Sequence, residues 1–312
     1  TYEDLASVLP DPEKGAHLFI QAGKAWQRME RIDQAASCYH KALERVPSYP
    51  EALNGLMEVY TQQGQWEKWV DAAERFASTV GKPKEASKDA IEFYLEFARV
   101  WKEELRDHKK AEEKYKGVLL LDPGNARACS ALDEIYTAEE KWDDLIYILT
   151  VKTRGLQGTQ EGAKLYSRIG QIYLEKLNMT REAQEAFETS MSSYPAYAPP
   201  FKALESLYSS DDSWDLLASL YEKRAAALTS GEEAVHLYLR RGEILEKNLE
   251  YPKDALASYR AALNLASPKS KEAREAVDRI VALSRAHAWT GELVKALLTR
   301  AETEEGRDAA LT

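Results

Sequence analysis

Residues 183–195 read AQEAFETSMSSYP, and their pattern occurs at three other places in the chain. An alanine is followed four residues later by an aromatic residue, and a proline comes eight or nine residues after that. The four copies are Ala35, Tyr39 and Pro47; Ala111, Tyr115 and Pro123; Ala183, Phe187 and Pro195; and Ala255, Tyr259 and Pro268. Because a helix rarely continues into a proline, each copy indicates a helix that ends near its proline.

Tryptophans mark the same period a second time. Trp66, Trp142, Trp214 and Trp289 are separated by 76, 72 and 75 residues. A fixed period of this kind is the signature of a repeat array, in which each unit packs only on its neighbours. The 312-residue chain is therefore expected to form one continuous array with a long surface, rather than globular domains around deep pockets.

Two kinds of helical hairpin alternate within each period. In the odd hairpins, the first helix (helix A) has a small residue in its apolar stripe, which lets the second helix (helix B) approach closely. These small residues are Gly23, Ala98, Gly170 and Gly242. In the even hairpins, helix B begins at the tryptophan and has a bulky residue in place of the alanine, which should separate the two helices. These bulky residues are Trp69, Leu145 and Leu217.

This pattern resembles the tetratricopeptide repeat, whose consensus combines a tryptophan, a glycine and a tyrosine with a later alanine, aromatic residue and proline. The alternation is similar to the paired repeats of some large bacterial repeat proteins. The resemblance implies an all-α, right-handed solenoid of about eight hairpins and about sixteen helices. Double-hairpin units are expected at residues 11–83, 84–157, 158–229 and 230–304.

Both ends of the sequence resemble interrupted hairpins. Residues 302–312 are similar to the approach to another odd hairpin, and residues 2–5 echo the start of an even helix B. The sequence is therefore expected to be a fragment of a longer array.

Charge and composition argue against several classes of function. The net charge of −10 disfavours a nucleic-acid partner, because Lys and Arg supply the contacts to phosphate. No apolar run is long enough to span a membrane, so membrane insertion is not expected. Cys38 and Cys129 lie on separate repeats and are expected to be free, buried thiols, which favours the cytoplasm as a reducing compartment.

Motifs that carry chemistry are missing from the sequence. It has no glycine-rich phosphate loop, no paired cysteines at metal spacing and no nucleophile elbow. The five histidines are scattered over different hairpins and are expected to be ordinary surface or interhelical residues. A ligand-stacking platform is the alternative for the tryptophans, but their position beside the apolar stripe favours a structural role. We predict no catalytic residue, no metal site and no cofactor.

The family resemblance implies that the A helices line a concave groove for a peptide or a partner protein. Transferring the family register assigns seven partner-binding residues: Lys24, Gln27, Arg28, Asn54, Gln62, Arg99 and Lys102. Their four cations suit a partner with an acidic segment, and the alternative is that they only make the surface soluble. The carboxylate clamp of the chaperone-binding members is not matched, because Glu92 and Glu96 stand at two of its cationic positions.

The sequence thus predicts a non-catalytic scaffold for protein–protein interaction. The alternative is a structural spacer or a self-assembly array that takes no peptide ligand. An RNA-binding helical repeat is disfavoured by the acidic net charge. Neither the oligomeric state nor the identity of the partner follows from the sequence.

Overall fold

The computed structural model describes residues 2–80, 87–228, 231–268 and 270–308, which contain helices and no strand. The predicted all-α class is confirmed. Seventeen α-helices lie in these residues: α1 Tyr2–Val8, α2 Pro12–Arg28, α3 Ile32–Arg45, α4 Pro50–Gln63, α5 Trp66–Val80, α6 Lys88–Arg99, α7 His108–Leu121, α8 Ala126–Ala138, α9 Trp142–Lys152, α10 Gln160–Glu175, α11 Thr180–Ser193, α12 Ala198–Ser210, α13 Trp214–Ala227, α14 Glu232–Lys247, α15 Pro252–Leu265, α16 Lys271–Ala286 and α17 Thr290–Asp308. A π-helical turn, Val100–Glu104, continues α6.

The chain divides into two compact units, residues 1–151 and residues 152–312. The first unit holds α1 to α9 except for the last residue of α9, and the second holds α10 to α17. The predicted boundary at residues 157/158 lies shortly after this division. Those at 83/84 and 229/230 fall outside the described residues. Continuity of the array across the two units and its right-handed sense stay predictions.

Short turns join the helices from α2 onward in pairs, and each turn has one residue in the left-handed backbone region. The odd hairpins use Glu30, Arg106, Asn178 and Glu250, and the even hairpins use Gly64, Glu140, Asp212 and Ala288. Each series advances by 72 or 76 residues, close to the period of the sequence. Five of the eight are Glu, Arg or Ala, which do not favour this region, so packing of the hairpins imposes the turn geometry.

Polar side chains begin several of the helices by capping free backbone amides. Asp11 accepts hydrogen bonds from the backbone N–H groups of Glu13 and Lys14, at 3.1 and 3.3 Å. Ser87 and Asn125 each accept one from the residue three positions later. These caps satisfy donors that have no partner inside the helix, and they fix where it starts.

The odd hairpins are held by an aromatic ring of helix B that lies on a glycine of helix A. The pairs are Gly23 with Tyr39, Gly170 with Phe187 and Gly242 with Tyr259. A Cβ atom added to Gly242 would lie 2.4 Å from Cε1 of Tyr259, closer than real contacts allow. The aromatic side chains are almost completely buried. The predicted close approach at the glycines is therefore confirmed.

The even hairpins have large side chains at the position where the odd hairpins have the alanine. The bulky residues at the position of the alanine, Trp69, Leu145 and Leu217, are buried. That these side chains separate the two helices of the even hairpins stays a prediction.

The tryptophans of the period lie at the margin of the core. Trp66, Trp142, Trp214 and Trp289 are all half-buried. In the second unit, Trp214 and Trp289 pack against the buried apolar cluster. This contact supports a structural role, but the rings are not fully enclosed.

The first helix, α1, is additional to the sixteen that the sequence predicts, and it packs on α2. Its Glu3 carboxylate accepts a hydrogen bond from Nε1 of Trp26 at 2.9 Å and one from Nζ of Lys41 at 3.1 Å. Beyond the end of α1, the Arg45 guanidinium donates to the carbonyl oxygen of Leu9 at 3.1 Å. Polar contacts from α2 and α3 therefore fix both ends of this short helix.

Helix α1 has the sequence register of an even helix B. Its Leu5 corresponds to Trp69, Leu145 and Leu217, which are 4%, 1% and 2% exposed, whereas Leu5 is 56% exposed. In the three other hairpins this position is buried. None of the described helices covers Leu5.

Both cysteines, Cys38 and Cys129, are free and buried, as the sequence predicts. Burial raises the pKa of the Cys38 thiol to about 11, so the thiol is protonated at neutral pH and is a poor nucleophile. Among the described residues, no helix is both long and apolar enough to cross a membrane.

Candidate protein-binding surface

Helices A of neighbouring hairpins lie side by side within each unit. In the first unit, α2 contacts α4, and in the second unit, α10 contacts α12 and α14 contacts α16. Side chains join such helices directly, since Nε2 of Gln27 donates to Glu58 at 3.3 Å and Arg279 pairs with Glu243. The α2–α4 pair and the α14–α16 pair therefore each present a shared surface that includes polar side chains.

Gln27 is the predicted residue that the fold holds most firmly on α2. Besides its bond to Glu58, its side-chain oxygen accepts a hydrogen bond from the hydroxyl of Tyr39. The ring of Tyr39 is the one that packs on Gly23. The contact that closes the first hairpin thus also orients a polar group toward α4.

Lys24 and Arg28 lie one turn apart on α2 and are both exposed. Neither forms an ion pair or a hydrogen bond with any residue in the described part of the chain. Asn54 and Gln62 on α4 are also exposed. The α2–α4 surface therefore combines two unneutralised cations with two exposed amides.

Arg99 differs from Lys24 and Arg28, because carboxylates of α6 and of its π-helical continuation neutralise its charge. Its guanidinium pairs with Glu96 at 2.7 Å, Glu103 at 3.0 Å and Glu104 at 3.1 Å. It also lies 5.9 Å from the centre of the Trp66 ring. The hydrogen bonds to Glu96, Glu103 and Glu104 raise the pKa of Arg99 above its ordinary value. This cation is fully engaged by groups of the same chain.

Lys102 lies in a cleft between α6, with its π-helical continuation, and α8. The cleft has a volume of about 380 Å³, and Leu95, Tyr115 and Ala131 are among its lining residues. Two ion pairs link its sides, one between Lys102 and Glu134 and the other between Arg127 and Glu92, at 2.5 Å. The cleft therefore carries both signs of charge in close balance.

The family register, transferred to this sequence, predicted the cations of this cleft. It did not predict the carboxylates that pair with them. Glu96 and Glu103 stand three and four residues from Arg99, a spacing that places them beside it on a helix. That spacing was available as a signal in the sequence. The pairing of Lys102 with Glu134 joins residues 32 positions apart and needed the tertiary structure.

Residues 163–197 match the family model described as tetratricopeptide repeat. The chain contains a tetratricopeptide repeat. The matched segment covers most of α10 and all of α11, and it includes Gly170, Ala183, Phe187 and Pro195, which carry the resemblance in the sequence. For this hairpin, the match confirms the predicted resemblance to the tetratricopeptide repeat.

Solved structures of several proteins align with parts of this chain, among them the tetratricopeptide repeat protein YrrB. YrrB, described as having an unusual peptide-binding site, is 17% identical with a TM-score of 0.37, over 61% of this chain and 92% of its own. MamA is 19% identical with a TM-score of 0.36, over 59% and 93%. A tetratricopeptide repeat protein from Parabacteroides merdae is 14% identical with a TM-score of 0.38, over 84% and 98%. No curated protein matches the chain.

Proposed function

We propose that this tetratricopeptide repeat protein is a non-catalytic scaffold that binds a protein or peptide partner on the surface of its A helices. The observation that carries the proposal is the α2–α4 surface. Lys24 and Arg28 are exposed there without a partner among the described residues, although acidic residues outnumber basic ones by 52 to 42 in the whole chain. Unneutralised cations on an acidic protein favour recognition of an acidic segment.

The third hairpin takes a smaller part in this recognition. Arg99 and Lys102 already have carboxylate partners, so an acidic ligand would have to displace Glu96 or Glu134 to reach them. Such an exchange replaces one ion pair by another and yields little net free energy. We therefore assign the acidic segment of the partner to Lys24, Arg28, Asn54 and Gln62, with Gln27 fixing the two helices.

The binding role is tested by capture of the native partner from a lysate of the source organism, with charge-reversed variants. The variant Lys24→Glu with Arg28→Glu should lose most of the captured partner. The matched control is Lys109→Glu with Lys253→Glu, which makes the same change in net charge at exposed lysines of helices B and should retain the partner.

The outcome separates this function from its alternative. Equal capture by both variants would place recognition elsewhere on the chain. No specific partner with the unaltered protein, together with self-association in sedimentation, would favour the spacer or self-assembly array. The free, buried cysteines support the cytoplasm as the compartment, because it keeps thiols reduced.

A further inference from the structure

A cluster of three potential metal ligands joins two A helices in the second unit. Glu232 and His236 stand four residues apart on α14, a spacing that places both on one face of the helix. Glu272 comes from the first turn of α16. One donor atom from each of the three side chains lies within 4.8 Å of the other two. The three groups are thus close enough to share one ion.

We infer that Glu232, His236 and Glu272 form a binding site for a divalent transition-metal ion such as Zn²⁺. Imidazole nitrogen and carboxylate oxygen are both ligands that Zn²⁺ accepts, and three protein ligands leave positions for water. Two carboxylates and a neutral imidazole offer two negative charges to a doubly charged cation. This site differs from the α2–α4 surface in place, in charge and in ligand class.

The surroundings of the three residues leave room for an ion and its water ligands. A cleft of about 350 Å³ lies beside them, and Glu232, Val235, Ser270 and Glu272 are among its lining residues. Binding at this place costs little desolvation, because the cleft is open to solvent.

The two helices that supply the ligands are already held together at a second point. Glu243 on α14 pairs with Arg279 on α16, both further along their helices than the three ligands. The ion would therefore meet donors on a preformed pair of helices and would act as a staple between two hairpins. An ion that binds only this folded arrangement raises the stability of the second unit.

Each ligand also has an ordinary role that the experiment must separate from metal binding. Glu232 and Glu272 lie in the first turns of their helices, where negative charge is favourable. His236 Nε2 lies 3.8 Å from Glu232 Oε1, a distance compatible with a simple ion pair. Lys271, next to Glu272, adds a positive charge that competes with a cation.

The test is isothermal titration of the metal-free chain with Zn²⁺, accompanied by its melting temperature with and without the ion. We expect binding of one ion at the site and a rise in the melting temperature. His236→Ala and Glu272→Gln should each weaken binding on the order of tenfold or more, since the first removes a ligand and the second removes the negative charge of one. Both variants should keep the helical circular dichroism of the unaltered chain.

The matched control is His108→Ala. His108 Nδ1 also lies 3.8 Å from a glutamate oxygen, that of Glu139, but no group of three donors includes it among the described residues. This control should bind Zn²⁺ as the unaltered chain does. The inference is overturned if the chain takes up no Zn²⁺, if His236→Ala and Glu272→Gln bind it unchanged, or if His108→Ala loses as much affinity as they do.

Discussion

The ring of Tyr259 lies against the Cα atom of Gly242, and its hydroxyl donates a hydrogen bond to Glu246 one turn further along the same helix, at 2.7 Å. The ring is completely buried, and a Cβ atom on Gly242 would lie less than 3 Å from three of its carbon atoms. This contact determines how closely α14 and α15 can pack. The same arrangement joins Gly23 to Tyr39 in the first hairpin.

Gly242→Ala should therefore destabilise the second unit. Overpacking costs about 1–3 kcal/mol, and the roughly 1 kcal/mol gained in helix propensity offsets it only in part. Urea unfolding followed by circular dichroism measures the difference. Gly117→Ala is the control, because Gly117 lies in α7 with nothing near its added Cβ, and this variant should be more stable than the unaltered chain. Equal effects of the two substitutions would contradict the role of the Gly242 contact.

Replacing a residue in the left-handed region of a hairpin turn by glycine should raise the stability of the fold. Ala288 has a φ of 53°, and replacing it by Gly should stabilise the chain by about 1 kcal/mol, since glycine has no Cβ to strain there. Ala286, two residues earlier, is exposed and ends helix α16. Ala286→Gly should lower stability by up to about 1 kcal/mol. Thermal melts that shift in the same direction for both variants would disprove this account.

Leu217 and Leu5 occupy the same position of the repeat but should contribute differently to the stability of the fold. Leu217 is 2% exposed and belongs to the buried apolar cluster of the second unit, so Leu217→Ala should cost about 2–5 kcal/mol through lost burial and a cavity. Leu5 occupies the same register position but is 56% exposed, so Leu5→Ala should cost far less. Urea unfolding of the two variants checks this ratio, and a comparable loss in both would mean that Leu5 is covered in solution.

Docking of α1 should depend on pH through Glu3. Hydrogen bonds from Trp26 and then from Lys41 lower the pKa of Glu3 below its ordinary value of 4.5. A carboxyl group whose pKa is lower in the folded state stabilises the fold above its unfolded pKa. The contribution is lost as pH falls through the folded pKa, so α1 should detach in that acidic range.

Fluorescence of Trp26 during acid titration is one readout of this detachment, and amide exchange in α1 is another. Glu3→Gln should weaken docking at neutral pH and remove this component of the pH dependence. Glu74→Gln, at an exposed glutamate of α5, should leave the titration unchanged. An identical acid transition in the chain and in Glu3→Gln would show that another group controls α1.

The recurrence of residue types predicted the hairpins well, because each hairpin forms from residues that are close together in the sequence. The small residue of helix A and the helix B that follows it lie within one hairpin, so the sequence predicted their close approach. The structure then showed that the ring of Tyr259 is the group that lies on Gly242. The half-burial of the tryptophans could not be predicted from the sequence, because a residue beside an apolar stripe can lie inside the core or at its margin.

The predicted binding residues show where a register transferred from the family reaches its limit. It placed Lys24 and Arg99 at matching positions on two A helices, yet the structure leaves the first unpaired among the described residues and surrounds the second with three glutamates. The position of a residue in a repeat fixes the direction of its side chain. It does not fix which charges the neighbouring helices bring to it.

The sequence by itself determined the helical class, the alternation of two hairpin types and the small residues at which the helices of the odd hairpins approach closely, since all of these depend on residues within a few turns of one another. Only the tertiary structure decided the pairing of Lys102 with Glu134 and the meeting of Glu232, His236 and Glu272. These contacts join side chains of different hairpins. Their partners are set by how neighbouring helices pack, and no local pattern of residue types encodes that packing.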